Sequence, residues 1–401
     1  MPEHTLELKG SLALADGPAG LRLIPGFIRV TGGVLERVEP DPAVGGDDAR
    51  TIIFPGFIDA HAHLPQFRSV GVAGLELLDW LDAVIFPAES RWADADLAHR
   101  EAADAARQLL SFGTTAVAAY ATVHHSATQR AIDALADAGM AGHVGQVLMD
   151  TGAPPRLARP AGDQADALEL KPRDRVMPSI APRFALSCSE ELLALAAEMA
   201  SRTGWLAQTH LAETTAECRA VESRFGVPYT EVYRRAGLLT PRAVLAHGIH
   251  LSRADREALA RVGAVIAHCP TANEFLRAGR MDRAGTLAAG ARLALGSDVA
   301  GGPDRSMVRV ARAMAMVASR DGGVFVPAAE CFRQITAGNA DALDLASTGR
   351  LAPGLDADLV IVEPDIPWQD HPDPLSLLLY AWDDRWIRRV YAAGRPVFPA
   401  R

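Results

Sequence analysis

The sequence predicts an α/β protein: a distorted (β/α)8 TIM-like barrel over residues 54–350, with a small β-sandwich built from both chain ends, residues 1–53 and 351–401. Three observations predict it. Eight short apolar or alternating runs end in polar or glycine-rich loops, segments of helical period separate them, and the two flanks are strand-like with turns and no helical period. A repeating strand-helix order implies a parallel sheet with helices outside, and eight such units close into a barrel.

Taken in order, the first barrel run is "FPGFIDAHAHLPQF", residues 54–67, whose apolar start reads as a buried strand. "GTTAVAAYA" (113–121), "AGHVGQVLMD" (141–150), "RVMPSIAPRF" (175–184) and "WLAQTHLAE" (205–213) follow as strands two to five. "AVLAHGIHL" (243–251), "GAVIAHCPTAN" (263–273) and "ARLALGSDVA" (291–300) complete the set. Helical period is expected over 92–110, 125–138, 190–203 and 253–261 between strands, and over 305–319 and 328–345 after the last one.

Strand residues two apart share a face, so His61 and His63 point the same way. His210 ends the fifth run, His247 lies in the sixth and Asp298 ends the eighth, all near C-terminal strand ends, where barrels of this kind place their chemistry. The intervals agree with a repeat of about 37 residues per unit, both from His61 to His210 and from His210 to His247. Three neutral imidazoles (His61, His63, His210) and the Asp298 carboxylate suit zinc, with iron as the other metal the donor set admits, and leave a position for water. Glu213, three residues after His210 where strand gives way to loop, is the expected proton shuttle. Asp298 can also orient and deprotonate the water, and His247 can either polarise it or stabilise a developing oxyanion. His124 and His125 either line the mouth or pack in a loop.

Composition narrows the partner. A net charge of −9 and a pI near 5.7, with no basic block, exclude nucleic acid and an anionic membrane as main partners and leave a small molecule. The opening "MPEHTLELKG" carries no secretory pattern, so a cytoplasmic protein is expected. Four cysteines without C-x-x-C spacing read as reduced packing residues.

These residues resemble the amidohydrolase superfamily, and within it the guanine deaminases. The resemblance runs from Phe54 to Gly302 through "PGFIDAHAHLPQF", "LLDWLDAVIFPAESRW", "FGTTAVAAYATVH", "APRFALSCSEELL", "THLAET", "LAHGIHLS", "AHCPTAN" and "LGSDVAGG". It implies that His61, His63, His210 and Asp298 are zinc ligands, and that Gln66, Arg183, Phe184 and Glu213 contact a purine. The Gln66 amide offers a donor and an acceptor to a nucleobase edge, and an Arg183 fork matches a carbonyl beside a ring nitrogen. Phe184 supplies an aromatic face, to which Trp80 either adds or merely packs nearby.

The chain has two lysines, Lys9 and Lys171, and neither falls at the end of the fourth strand, so a two-metal centre bridged by a carboxylated lysine is not expected. The resemblance implies guanine deamination to xanthine and ammonia, with a homodimer as the assembly. Another amino- or halo-substituted purine, pterin or related heterocycle is the alternative substrate. Gly152, Ala272 and Glu274 depart from the pattern and are expected to touch the mouth.

Overall fold

In the computed structural model, residues 5–17, 20–46, 48–320 and 323–399 are described. Strands β1 (Thr5–Ala15), β2 (Leu21–Thr31), β3 (Val34–Pro40) and β4 (Ile52–Pro55) precede the eight barrel strands. Those are β5 (Phe57–His63), β6 (Thr114–Tyr120), β7 (Ala141–Leu148), β8 (Val176–Pro182), β9 (Ala207–Leu211), β10 (Ala243–His247), β11 (Val265–His268) and β12 (Arg292–Leu295). They form one parallel sheet in sequential order. Strands β13 (Leu359–Val362), β14 (Ile387–Ala392) and β15 (Arg395–Phe398) return to the first four, and the two chain ends build a single mixed sheet in the order β15-β14-β13-β4-β1-β2-β3.

The chain crosses from one sheet to the other at Gly56. A β-carbon there would lie 2.0 Å from Thr115 Oγ1, so the crossing can pass tightly over β6 only without a side chain. The opening apolar run is therefore two strands: Ile52–Pro55 pairs with β1 and β13, and Phe57–His63 starts the barrel.

Side chains close the barrel where β12 meets β5. Asn339 Nδ2 donates to Ile58 O at 2.7 Å and to Leu295 O at 2.8 Å, while its Oδ1 accepts from Leu295 N at 2.9 Å. One layer up, Asp59 Oδ1 accepts from Ser297 N at 2.9 Å and His61 N at 3.1 Å, and Oδ2 accepts from Ser297 Oγ at 2.5 Å. A β-carbon at Gly296 would stand 2.5 Å from that of His61, so the two strand ends touch at backbone distance. The seam thus fixes the segment bearing Asp298 against the segment bearing His61 and His63.

Helices Ala95–Ser111, His125–Asp137, Glu190–Thr203 and Arg253–Val262 lie where helical period places them. Asp94, Ser189 and Ser252 cap three of these N-termini by accepting backbone N–H bonds. The region after β5 is more helical than its sequence suggests: Leu77–Trp80, a π turn Leu81–Ile85 and Phe86–Ser90 run on continuously. Its buried side chains pack with Tyr120, Val147 and Phe184 over the barrel mouth. No helix among the described residues is long and apolar enough to cross a membrane.

Candidate active site

The C-terminal ends of β5, β9 and β12 bring four side chains to one point. His61 Nε2 lies 3.3 Å and His63 Nε2 3.4 Å from Asp298 Oδ1, and His63 Nε2 lies 3.2 Å from His210 Nε2. One ligand atom from each of the four falls within 4.8 Å of the others, and all four residues are buried. His210 Nδ1 is 2.6 Å from the carbonyl oxygen of Arg183, which can only accept, so Nδ1 carries the proton and Nε2 keeps its lone pair. His61 Nε2 is buried without a hydrogen bond of good geometry.

Burial drives the His63 pKa down to about 4, and burial with the neighbouring His61 and His63 takes His210 well below the ordinary histidine value. Burial opposes ionisation of Asp298, yet hydrogen bonds from His61 and His63, then the charges of His61 and His247, hold it well below the usual carboxylate range. Neutral imidazoles converging with an ionised carboxylate are the donor set of a borderline divalent metal, and an orphaned buried Nε2 is what such an ion would satisfy. The residues fit such an ion.

Beside this group, Glu213 Oε2 lies 3.4 Å from His247 Nε2, which is 3.9 Å from Asp298 Oδ2. Burial first, then the charges of Asp298 and Glu217, raise Glu213 well above the usual carboxylate pKa. Its Oε1 has no hydrogen-bond partner among the described residues. His247 Nδ1 meets Asn273 Oδ1 at 2.9 Å, which orients the ring and leaves Nε2 facing Glu213. Ala212, His247 and Asp298 adopt left-handed backbone with φ of 50°, 71° and 49°. For residues with side chains this costs about 1–3 kcal/mol each, and its clustering marks the strand ends as built for function.

A cavity opens over these groups, walled by both polar and apolar side chains. Gln66, Trp80, Arg183, Phe184, Glu213 and His247 all line it. Trp80 also donates its indole N–H to Val72 O at 3.1 Å, so it both packs and faces the cavity. Neither lysine lines it. Gly152, Ala272 and Glu274 are not among its lining residues, and Glu274 is exposed and pairs with Arg280 and Arg320. His124 and His125 stand at the start of a helix outside the cavity lining.

The amidohydrolase family model matches residues 52–397. The chain belongs to the amidohydrolase family. Among its relatives, the guanine deaminase of Escherichia coli K12 is 32% identical over 378 residues, covering 90% of this chain and 86% of that one. The guanine deaminase of Rattus norvegicus is 32% identical over 374 residues, covering 86% and 82%. A crystal structure of guanine deaminase from C. acetobutylicum with guanine bound in the active site superposes with a TM-score of 0.90 at 28% identity, covering 98% of this chain and all of that one.

Several residues of this amidohydrolase site escape sequence reasoning. Glu217 lines the cavity and accepts from Glu213 N at 2.9 Å, Thr214 N at 3.3 Å and Tyr229 Oη at 2.6 Å, which locks the turn that carries Glu213. "TTAE" holds its signal, a capping box beginning at Thr214. Tyr120 stacks on His63 at 4.7 Å between ring centres, and Glu89 sits behind Gln66 and Arg183. A carboxylate in the apolar run "VIFPAES" was the available sign for Glu89.

Proposed function

We propose that this amidohydrolase hydrolyses guanine to xanthine and ammonia, with one zinc ion held by His61, His63, His210 and Asp298. The observation that carries the reading is that Gln66, Arg183, Phe184 and Glu213 line one cavity together with His63, His210 and Asp298 of that four-residue group. The guanine-bound C. acetobutylicum enzyme, of the same fold along its whole length, supports the choice of purine. When bound, the ion supplies Lewis acidity that makes water acidic enough to yield a nucleophile near neutral pH.

The chain's residues do the rest. Arg183 offers its fork to the ring carbonyl and adjacent nitrogen, Gln66 hydrogen-bonds the base edge, and Phe184 with Trp80 covers the ring face. Asp298 accepts a proton from the attacking water. Glu213 starts protonated and gives its proton to a ring nitrogen; of the two protons the water brings, one then passes to the departing amine and the other returns to Glu213, while His247 polarises the water or steadies negative charge as it develops. Burial of the cavity keeps bulk water from these groups.

Incubating purified, metal-replete protein with guanine while following absorbance and ammonia tests the reading. Xanthine and stoichiometric ammonia are expected, with guanine preferred over other aminopurines, pterins and halogenated heterocycles. Turnover of another heterocycle without turnover of guanine would overturn it. A homodimer in a cytoplasmic compartment belongs to the same proposal, and light scattering and cell fractionation read those two directly.

A further inference from the structure

We infer that Glu89, which touches neither the metal group nor the cavity, is the positioning residue that sets both arms of base recognition. It is 1% exposed, and its carboxylate takes three hydrogen bonds. Oε1 accepts from Gln66 Nε2 at 2.9 Å and from Arg183 Nη1 at 2.6 Å, and Oε2 accepts from Nη1 at 2.7 Å. One carboxylate therefore holds the two polar groups that are expected to read the base.

The consequences differ for the two arms. Gln66 Oε1 accepts from Ala300 N at 3.4 Å while its nitrogen is committed to Glu89, so the amide is held in one of its two flips. A fixed flip gives a defined donor and acceptor to a ligand. The Arg183 side chain is 4% exposed and lies over the Phe86 ring at 5.7 Å. Glu89 neutralises its charge through Nη1 alone. Nε and Nη2 donate to no acceptor among the described residues, so they stay available to a ligand. Without Glu89, Arg183 would be an uncompensated buried cation and Gln66 would be free to rotate.

The inference rests on guanine as substrate, and its test separates the two ideas. Glu89→Gln and Glu89→Asp are compared with wild type for metal content, melting, kcat and KM on guanine, and on 2-aminopurine, which lacks the ring carbonyl. Glu89→Gln should keep its metal, raise KM for guanine about tenfold or more with a smaller change in kcat, and cut the preference for guanine over 2-aminopurine by a similar factor. Glu89→Asp, which keeps the charge but draws it back by one methylene, should rescue part of both. A Glu89→Gln variant with lower melting but unchanged KM and preference would make the residue merely structural and overturn the inference alone. If that variant does not fold, Glu89→Asp with wild-type KM and preference does the same. Wild-type protein that does not turn over guanine overturns both the inference and the reading beneath it.

Discussion

Asn339→Ala removes the side chain that joins the first and last barrel strands. Asn339 is fully buried and bonds Ile58 O, Leu295 O and Leu295 N. Alanine leaves the Leu295 N–H without its acceptor, at about 1–3 kcal/mol, and takes one donor from each of two carbonyls, at about 0.5–1.5 kcal/mol apiece, for a loss of roughly 4 kcal/mol. The loss should be read from urea unfolding of chelator-stripped wild type and variant, because metal bound to the native state would add its own stabilisation to both. Since the seam also aligns β5 with the segment leading to Asp298, the refolded variant should bind metal more weakly. A loss under about 1 kcal/mol with an unchanged denaturant slope would refute the view that this side chain closes the barrel.

Other consequences follow from the same geometry. Glu213→Gln removes the raised-pKa carboxyl while keeping its shape, so metal content should hold and kcat on guanine should fall by about 10²–10⁴. A variant with near-normal kcat would end the proton-relay assignment. His143, buried and bonded to Leu343 O at 3.0 Å, has its pKa driven down to about 4, chiefly by burial. Its contribution to stability is full above about pH 6.5, where the unfolded side chain is neutral, and is lost as pH falls towards 4, at about 1.4 kcal/mol per pH unit. His143→Asn should therefore flatten the fall in unfolding free energy across that window, and an unchanged slope would count against it.

The barrel and the metal group were legible because both rest on local signals. Period-two and helical patterns place the strands, and ligands at strand ends need no knowledge of packing. The break of the opening run at Gly56 was not legible: both halves are apolar, and only the close approach of Thr115 shows why the chain must turn there. Asn339 and Asp59 close the barrel through partners far away in sequence, which no local pattern records. Glu89 and Glu217 carry only weak local signals, a carboxylate in an apolar run and a capping box, and burial is what shows that they hold the groups that face the cavity. Gly152, Ala272 and Glu274 lie close in sequence to functional segments without being among the residues that line the cavity.

Titrating zinc into chelator-stripped protein while following xanthine formation from guanine tests the central claim most directly. Activity should rise from near zero and break at one equivalent per chain, and His210→Ala should abolish the response. Full turnover in metal-free protein, or a break at two equivalents, would contradict a single ion held by His61, His63, His210 and Asp298.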